Sequence, residues 1–132
     1  MASNATKILI VDDDQAVRAS LARVLTDDGF HVEEASSGFD AVRMVETGDY
    51  ALVILDLRMP NLGGLTVLQH VHTRHPAIPV IVMTGFASIE NAKESIELGA
   101  FDFLLKPLDA TRIRTVVSRA LASGPWLFER RC

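Results

Sequence analysis

The stretch "ILIVDDDQAV", Ile8–Val17, contains an aliphatic run that ends in the three consecutive acids Asp12, Asp13 and Asp14. Like charges this close repel: at about 6 Å and an effective dielectric constant of about 20, each pair costs roughly 3 kcal/mol. The aliphatic part is short, β-branched and bounded by acids, which predicts a buried strand over Lys7–Val11. After the acids, apolar residues recur at helical spacing, so a strand and a helix meet at an acidic turn.

The same alternation of strand and helix continues along the whole chain. The predicted strands are Lys7–Val11, Phe30–Ala35, Ala51–Leu57, Ile78–Thr84 and Phe101–Leu105. The predicted helices are Gln15–Leu25, Asp40–Thr47, Leu65–His75, Ser88–Leu98 and Asp109–Ser123. Five short strands that alternate with five helices favour a parallel sheet covered by helices on both faces. The second strand alternates polar and apolar residues, which predicts a position near an edge.

Helix ends carry residues that favour them. The predicted N-caps are Asp14 (or Asp13), Ser37 and Asp109, and the predicted stop signals are Gly29, Gly48 and Gly99. Asp14 is therefore expected to cap the first helix rather than to bind a metal ion.

Phe101, at the start of the fifth predicted strand, is expected to lie in the core.

Composition bounds the function classes. The 132 residues fit one domain, and 48% hydrophobic with 23% charged residues is typical of a soluble globular protein. The net charge of −4 argues against a general nucleic-acid binder. Cys132 is the only cysteine, so no intrachain disulfide forms and a reducing cytoplasm is expected. The sequence shows neither a signal peptide nor an apolar stretch of membrane-spanning length.

Polar side chains stand where four of the predicted strands end. The acids at Asp12 follow the first strand, Asp56 ends the third, Thr84 the fourth and Lys106 the fifth. In a sheet of order 2-1-3-4-5 these groups converge, because ligands of such sheets bind beyond the carboxyl ends of the strands. Carboxylates without histidine or thiolate select a hard cation such as Mg²⁺. With a lysine and a hydroxyl added, the set suits phosphoryl transfer, and an aspartate there can itself be the nucleophile.

The joint pattern of "VDDD", "LDLRMP", "MTG" and "LLKP" resembles the receiver domain of two-component response regulators. The resemblance runs from Lys7 to about Ser123. It implies a flavodoxin-like, doubly wound, five-stranded parallel sheet with five helices. Residues 1–123 are then expected to form the receiver domain, and residues 124–132 a tail or the start of a linker.

The resemblance also implies the chemistry of the site. Asp56 would accept a phosphoryl group from the phosphohistidine of a sensor histidine kinase or a histidine phosphotransfer protein. The implied ligands of Mg²⁺ are Asp12, Asp13, Asp56 and the main-chain carbonyl of Arg58. Thr84 and Lys106 would bind phosphoryl oxygens. The Lys106–Pro107 peptide bond would be cis.

A switch is implied as well. Thr84 would move toward the phosphate and Phe103 would turn inward, changing the partners of the face made by helix four, strand five and helix five. Homodimerisation on phosphorylation is one expected output. The domain itself would bind neither nucleic acid nor membrane, and it would catalyse only its own phosphorylation and dephosphorylation, not act as an enzyme on other substrates.

Three positions depart from the family pattern. Gly63-Gly64 stands where an acid or amide followed by Gly is usual, which loosens the loop after Asp56 without removing any chemistry. Phe103 lacks the hydroxyl of a tyrosine. Phe86 is large and apolar close to the path of attacking water, and it is expected to slow hydrolysis of the phospho-aspartate.

Three other readings compete with this one. Asp12 and Asp14 are similar to the nucleophile and acid/base of haloacid-dehalogenase-type phosphatases, but such enzymes usually need a longer chain, and "LDLRMP" would go unexplained. A flavodoxin-like nucleotide binder would need a phosphate loop where acids stand. A receiver that only docks partners would not need the full site.

The four histidines show no acidic partner in a ligand pattern, and surface or structural roles are expected for His31, His70, His72 and His75.

Overall fold

The computed structural model describes residues 6–59, 62–85 and 89–123, which form a single parallel sheet with helices on both faces. The strands are β1 Lys7–Val11, β2 His31–Ala35, β3 Leu52–Asp56, β4 Val80–Gly85 and β5 Asp102–Lys106. The helices are α1 Gln15–Asp27, α2 Gly38–Thr47, α3 Gly64–Arg74, α4 Ile89–Glu97 and α5 Ala110–Ala122. The strand order is β2-β1-β3-β4-β5, which confirms the predicted doubly wound fold.

The sheet divides the core into two apolar clusters because successive side chains of a strand point to opposite faces. In the central strand β3, Val53 and Leu55 pack in the cluster that includes α2 and α3. Leu52 and Ile54 pack in the other cluster, with side chains of α1 and α5. All five residues of β3 are buried, as expected for an inner strand covered on both sides.

The capping residues lie where the sequence predicts them. The side chains of Asp14, Ser37 and Asp109 accept hydrogen bonds from main-chain N–H groups in the first turns of α1, α2 and α5. Gly29 and Gly99, after α1 and α4, have φ angles of 94° and 112°. This left-handed conformation is readily available only to glycine, which explains why both helices end there.

The prediction that Phe101 belongs to the core is wrong. Phe101 is 37% exposed, and the last strand begins one residue later, at Asp102. The reason is topological: β5 pairs only with β4 and forms an edge of the sheet, so it is covered less completely than the inner strands. Its Leu105 is exposed for the same reason.

The two adjacent glycines at the start of α3 have different roles, which predicts different responses to the same substitution. A Cβ at Gly64 would lie 2.6 Å from the carbonyl oxygen of Asp56 and would also strike the Cα of Leu57. A Cβ at Gly63 meets no described atom within 4 Å, and Gly63 is the N-cap of α3 without a capping side chain. We expect Gly64→Ser to cost roughly 1–3 kcal/mol of unfolding free energy through overpacking.

The matched variant Gly63→Ser should change the unfolding free energy by less than about 0.5 kcal/mol, since serine is a good N-cap residue. Urea denaturation of both variants measures the difference. Equal losses in the two variants would show that the close approach at Gly64 is not what fixes α3 beside the end of β3.

None of the described helices has the length and apolar character needed to cross a bilayer.

Candidate metal centre

Four chain segments bring polar groups to the same edge of the sheet. Asp12 directly follows β1, Asp56 ends β3, and Lys106 ends β5. Thr84 lies near the end of β4, one residue beyond Met83, which is the register partner of Asp56. Because β1, β3, β4 and β5 are consecutive neighbours in the sheet, the predicted site residues share its carboxyl edge.

Three carboxylates at this edge form a compact cluster. Asp12 and Asp56 are buried, with Asp56 only 3% exposed, while Asp13 is exposed. One carboxylate oxygen of each residue lies within 4.8 Å of the others. Burying two carboxylates side by side is unfavourable unless a cation compensates them. The donor set is all oxygen, which fits a hard cation such as Mg²⁺.

Lys106 supplies part of that compensation from the fifth strand. Its Nζ lies 3.3 Å from Asp12 Oδ2 and 3.4 Å from Asp56 Oδ2, so it bridges the two buried acids. The Lys106 side chain is 29% exposed, so it is less deeply buried than the two acids that it contacts. The peptide bond that follows, Lys106–Pro107, is cis, the isomer that the family resemblance implies.

Burial raises the pKa of Asp56 to about 6, and the negative charge of Asp12 acts in the same direction. Two contacts oppose this: the main-chain N–H of Arg58 donates to Asp56 Oδ1 over 3.1 Å, and Lys106 lies close by. Asp56 is therefore an ionisable group held in a poorly solvated place. Such groups are common at functional sites.

The main chain around Asp12 is fixed by contacts that were only partly predicted. Asp12 Oδ1 accepts from the N–H of Asp14 over 3.0 Å, while the Asp14 side chain caps α1. Arg18 Nη1 donates to the Asp12 carbonyl over 2.7 Å, and its Nε donates to Glu34 over 2.9 Å. Sequence reasoning missed Arg18. The sequence pattern of α1 gives no signal that separates it from a solvated arginine.

The other residues predicted for the site differ in their surroundings. Thr84 is fully buried, and its hydroxyl donates to the carbonyl of Gly85 over 3.4 Å. Phe103 is half-buried and packs against the apolar core cluster that includes side chains of α2 and α3. The side chain of Arg58 is exposed. Phe86, with its predicted effect on hydrolysis, lies outside the described residues.

The raised pKa of Asp56 has a consequence for stability in the metal-free protein. The folded form binds this proton more tightly than the unfolded chain, whose carboxyl has the ordinary pKa of 3.8. Stability should therefore fall as the pH rises from about 4 to about 6, and the loss at neutral pH should be about 3 kcal/mol.

Asp56→Asn removes this ionisation, so in chelator it should be more stable than the wild type above pH 6 and about equal near pH 4. Denaturant unfolding of both proteins across this range provides the test. A stability difference that does not vary with pH would contradict the buried, proton-binding environment of Asp56.

Comparison with known proteins identifies the family. The sequence model of the response regulator receiver domain matches residues 8–118, most of the chain and all of the elements that carry the site. The chain belongs to the response regulator receiver domain family. It is thus a signalling domain of two-component systems.

The similarity of this chain to individual curated proteins is consistent with the family match. The chain is 40% identical over 115 residues to the transcriptional regulatory protein ZraR of Salmonella typhimurium, covering 87% of this chain and 26% of that protein. It is 33% identical to CusR of Escherichia coli, covering 88% of this chain and 53% of that protein. The receiver domain therefore spans about a quarter to a half of the length of these curated relatives.

A solved receiver domain shows the same fold over almost its whole length. The crystal structure of the receiver domain of NtrX from Brucella abortus matches with a TM-score of 0.86 and 34% identity. The match covers 89% of this chain and 99% of that one.

A second cluster overturns one sequence-based prediction. Glu46, His70 and His75 have ligand atoms within 4.8 Å of one another, so two of the histidines do have an acidic partner in a ligand pattern. The prediction failed because Glu46 lies on α2 and both histidines belong to α3 and its C-cap, a pairing that only the packing of two helices reveals.

Proposed function

We propose that this receiver domain accepts a phosphoryl group on Asp56, from the phosphohistidine of a sensor histidine kinase or a histidine phosphotransfer protein, in a Mg²⁺-dependent reaction. The observation that carries the proposal is the pairing of two buried carboxylates, Asp12 and Asp56, bridged by Lys106 at 3.3 and 3.4 Å. An ordinary surface acid needs neither this burial nor this cation.

The residues that would hold Mg²⁺ are Asp12, Asp13, Asp56 and the carbonyl of Arg58. When bound, the metal would neutralise negative charge on the carboxylates and on the phosphoryl group. Lys106 supplies one positive charge beside two buried carboxylates. The all-oxygen, largely buried cluster supports this assignment.

The chain's own groups would perform the transfer. An oxygen of the Asp56 carboxylate attacks phosphorus, the phosphorus–nitrogen bond of the donor breaks, and its electron pair passes to the imidazole. The N–H of Arg58, which donates to Asp56 Oδ1, orients the carboxylate for attack. Lys106 and the Thr84 hydroxyl would bind the phosphoryl oxygens.

The output would follow from a change at the α4–β5–α5 face. Thr84 and Phe103 occupy adjacent strands, with Phe103 paired to Val82 in the register of β4 and β5. The apolar side chains of Ile96, Phe101 and Leu105 are exposed on this side of the fold. They support a protein partner or a second copy of the chain as the recipient of the signal. The domain would act in the cytoplasm and catalyse only its own phosphorylation and dephosphorylation.

The geometry does not favour the alternative phosphatase. That reading assigns Asp14 as an acid/base, but the Asp14 side chain caps α1 by accepting from the N–H of Ala16 over 2.9 Å. The acid that lies beside Asp12 and Lys106 is Asp56.

Incubation with acetyl phosphate, a small phosphodonor, tests the proposed transfer. We expect the intact mass to increase by one phosphoryl group in Mg²⁺ and not in chelator, and hydroxylamine to remove the group, as expected of an acyl phosphate. A Mg²⁺-independent or hydroxylamine-stable phosphoryl group would contradict the proposal.

A further inference from the structure

A second group of possible ligands lies away from the carboxyl edge of the sheet, where α2 and α3 pack together. The carboxylate of Glu46, one residue before the end of α2, faces two imidazoles from α3 and its C-cap. Glu46 Oε2 is 3.0 Å from His70 Nε2 and 3.5 Å from His75 Nε2. We call Glu46, His70 and His75 the α2–α3 histidine cluster.

The histidines converge because the helix ends between them. Residues five apart lie on different faces of a continuous α-helix. His75 is the C-cap of α3, with φ −136° and ψ 63°, so the chain turns away from helical geometry there. Its N–H donates to the Val71 carbonyl over 2.7 Å and its carbonyl accepts from Ile78 over 3.0 Å. The turn is thereby held in place, and with it the position of the His75 ring.

The spacing of the three atoms suits a tetrahedral metal ion. Zinc binds imidazole nitrogen and carboxylate oxygen at about 2.0–2.2 Å, so its ligand atoms lie roughly 3.3 Å apart. The two distances to Glu46 Oε2, 3.0 and 3.5 Å, lie on either side of that value. Each ring would use the tautomer protonated at Nδ1, which leaves the lone pair on Nε2.

One nitrogen of the cluster has no well-formed hydrogen bond. His75 Nε2 is buried from solvent, and its contact with Glu46 Oε2, over 3.5 Å, does not have hydrogen-bond geometry. An unsatisfied buried polar atom is unfavourable and uncommon in folded proteins. A bound cation would satisfy it, and it would also account for two rings and a carboxylate meeting at one point.

The electrostatics of the cluster also permit a cation. The hydrogen bond with His70 lowers the pKa of the Glu46 carboxyl, so this ligand is ionised at neutral pH. Arg74 Nη2 lies 3.9 Å from the other oxygen of Glu46 and is the one positive group near it among the described ion pairs. The Arg74 side chain is mostly exposed, so it can turn into solvent when a metal binds.

We propose that Glu46, His70 and His75 bind a divalent transition-metal ion, Zn²⁺ in the first instance, and that the ion links α2 to α3. Two imidazoles and one carboxylate match the preference of zinc, whereas the acidic cluster at Asp56 matches that of Mg²⁺. All three side chains are partly exposed, so the ion has an entry path and water completes its coordination. The proposal does not depend on phosphoryl transfer at Asp56.

Calorimetric titration with zinc chloride tests the site, using the full chain without an affinity tag, in millimolar Mg²⁺ so that hard-cation sites are filled. The chain carries Cys132→Ser throughout, because a thiol also binds zinc. We expect about one zinc ion per chain. His70→Gln and His75→Gln should each weaken binding at least 10- to 100-fold, the range that even outer-shell partners of metal ligands contribute.

The matched control is His72→Gln, an exposed histidine on the same helix outside the cluster. It and Asp56→Asn should bind zinc as the parent does, and zinc should raise the melting temperature of both but not of His70→Gln. Should His75→Gln fail to fold, Glu46→Gln at its exposed helical position gives the same answer. Absence of micromolar zinc binding, or binding that survives both histidine substitutions in the cluster, would overturn the proposal.

Discussion

Asp56→Asn is expected to abolish phosphorylation of this domain by acetyl phosphate and by a phosphohistidine donor. The substitution keeps the shape of the side chain but replaces the attacking carboxylate with an amide of negligible nucleophilicity. Losing a nucleophile outright typically costs several orders of magnitude, so labelling should fall at least about 1,000-fold. Time courses of phosphoryl incorporation in Mg²⁺, followed by intact mass, measure the effect.

Asp14→Asn is the matched control, because Asp14 is an aspartate of the same acidic turn whose side chain caps α1. Its phosphorylation rate should stay within about threefold of the parent, since asparagine keeps the side-chain oxygen that caps α1. Substantial labelling of Asp56→Asn would show that another acid is the nucleophile. Loss of labelling in Asp14→Asn, with labelling retained in Asp56→Asn, would favour the phosphatase-like reading instead.

Opposite changes in Mg²⁺ affinity are expected when the two sides of the Asp12–Lys106 ion pair are altered. Asp12→Asn removes a buried negative charge from the acidic cluster and should weaken Mg²⁺ binding by at least about tenfold. Lys106→Met removes a positive charge that lies 3.3 and 3.4 Å from two carboxylates and repels an incoming cation. For a divalent cation about 6 Å from the lysine ammonium group, with a dielectric constant of about 20, that repulsion is roughly 5 kcal/mol.

Because Lys106 can swing partly into solvent, the net gain in Lys106→Met should be smaller, about tenfold tighter binding, or 1.4 kcal/mol. Calorimetric Mg²⁺ titrations of the three proteins at one ionic strength measure both effects. Lys93→Met is a control, because Lys93 is an exposed lysine of α4. Weaker Mg²⁺ binding in Lys106→Met would show that the lysine supports the cation site rather than opposing it.

The fold and the principal site were largely predictable from the sequence, because their signals are local. An aliphatic run such as "LVILD" is a buried strand wherever it occurs in an alternating pattern, and the structure places it at the centre of the sheet. Asp12, Asp56, Thr84 and Lys106 converge because a parallel sheet collects the ends of its strands at one edge. The caps at Asp14, Ser37 and Asp109 depend only on neighbouring residues, and all three are confirmed.

What the sequence did not reveal depends on contacts between distant segments. Arg18 fixes the acidic turn by reaching Asp12 and Glu34, and nothing in the pattern of α1 distinguishes it from a solvated arginine. The α2–α3 histidine cluster joins Glu46 to residues more than twenty positions later. Phe101 was misjudged because hydrophobicity does not report whether a strand lies at an edge.

The most direct test of the account is to locate the phosphoryl group in the wild-type chain. After reaction with acetyl phosphate in Mg²⁺, borohydride reduces a phosphorylated aspartate to homoserine, which peptide mass spectrometry can locate. The account predicts homoserine at position 56 alone. Homoserine at position 12, 13 or 14, or a phosphorylated chain with no reduced aspartate, would contradict it.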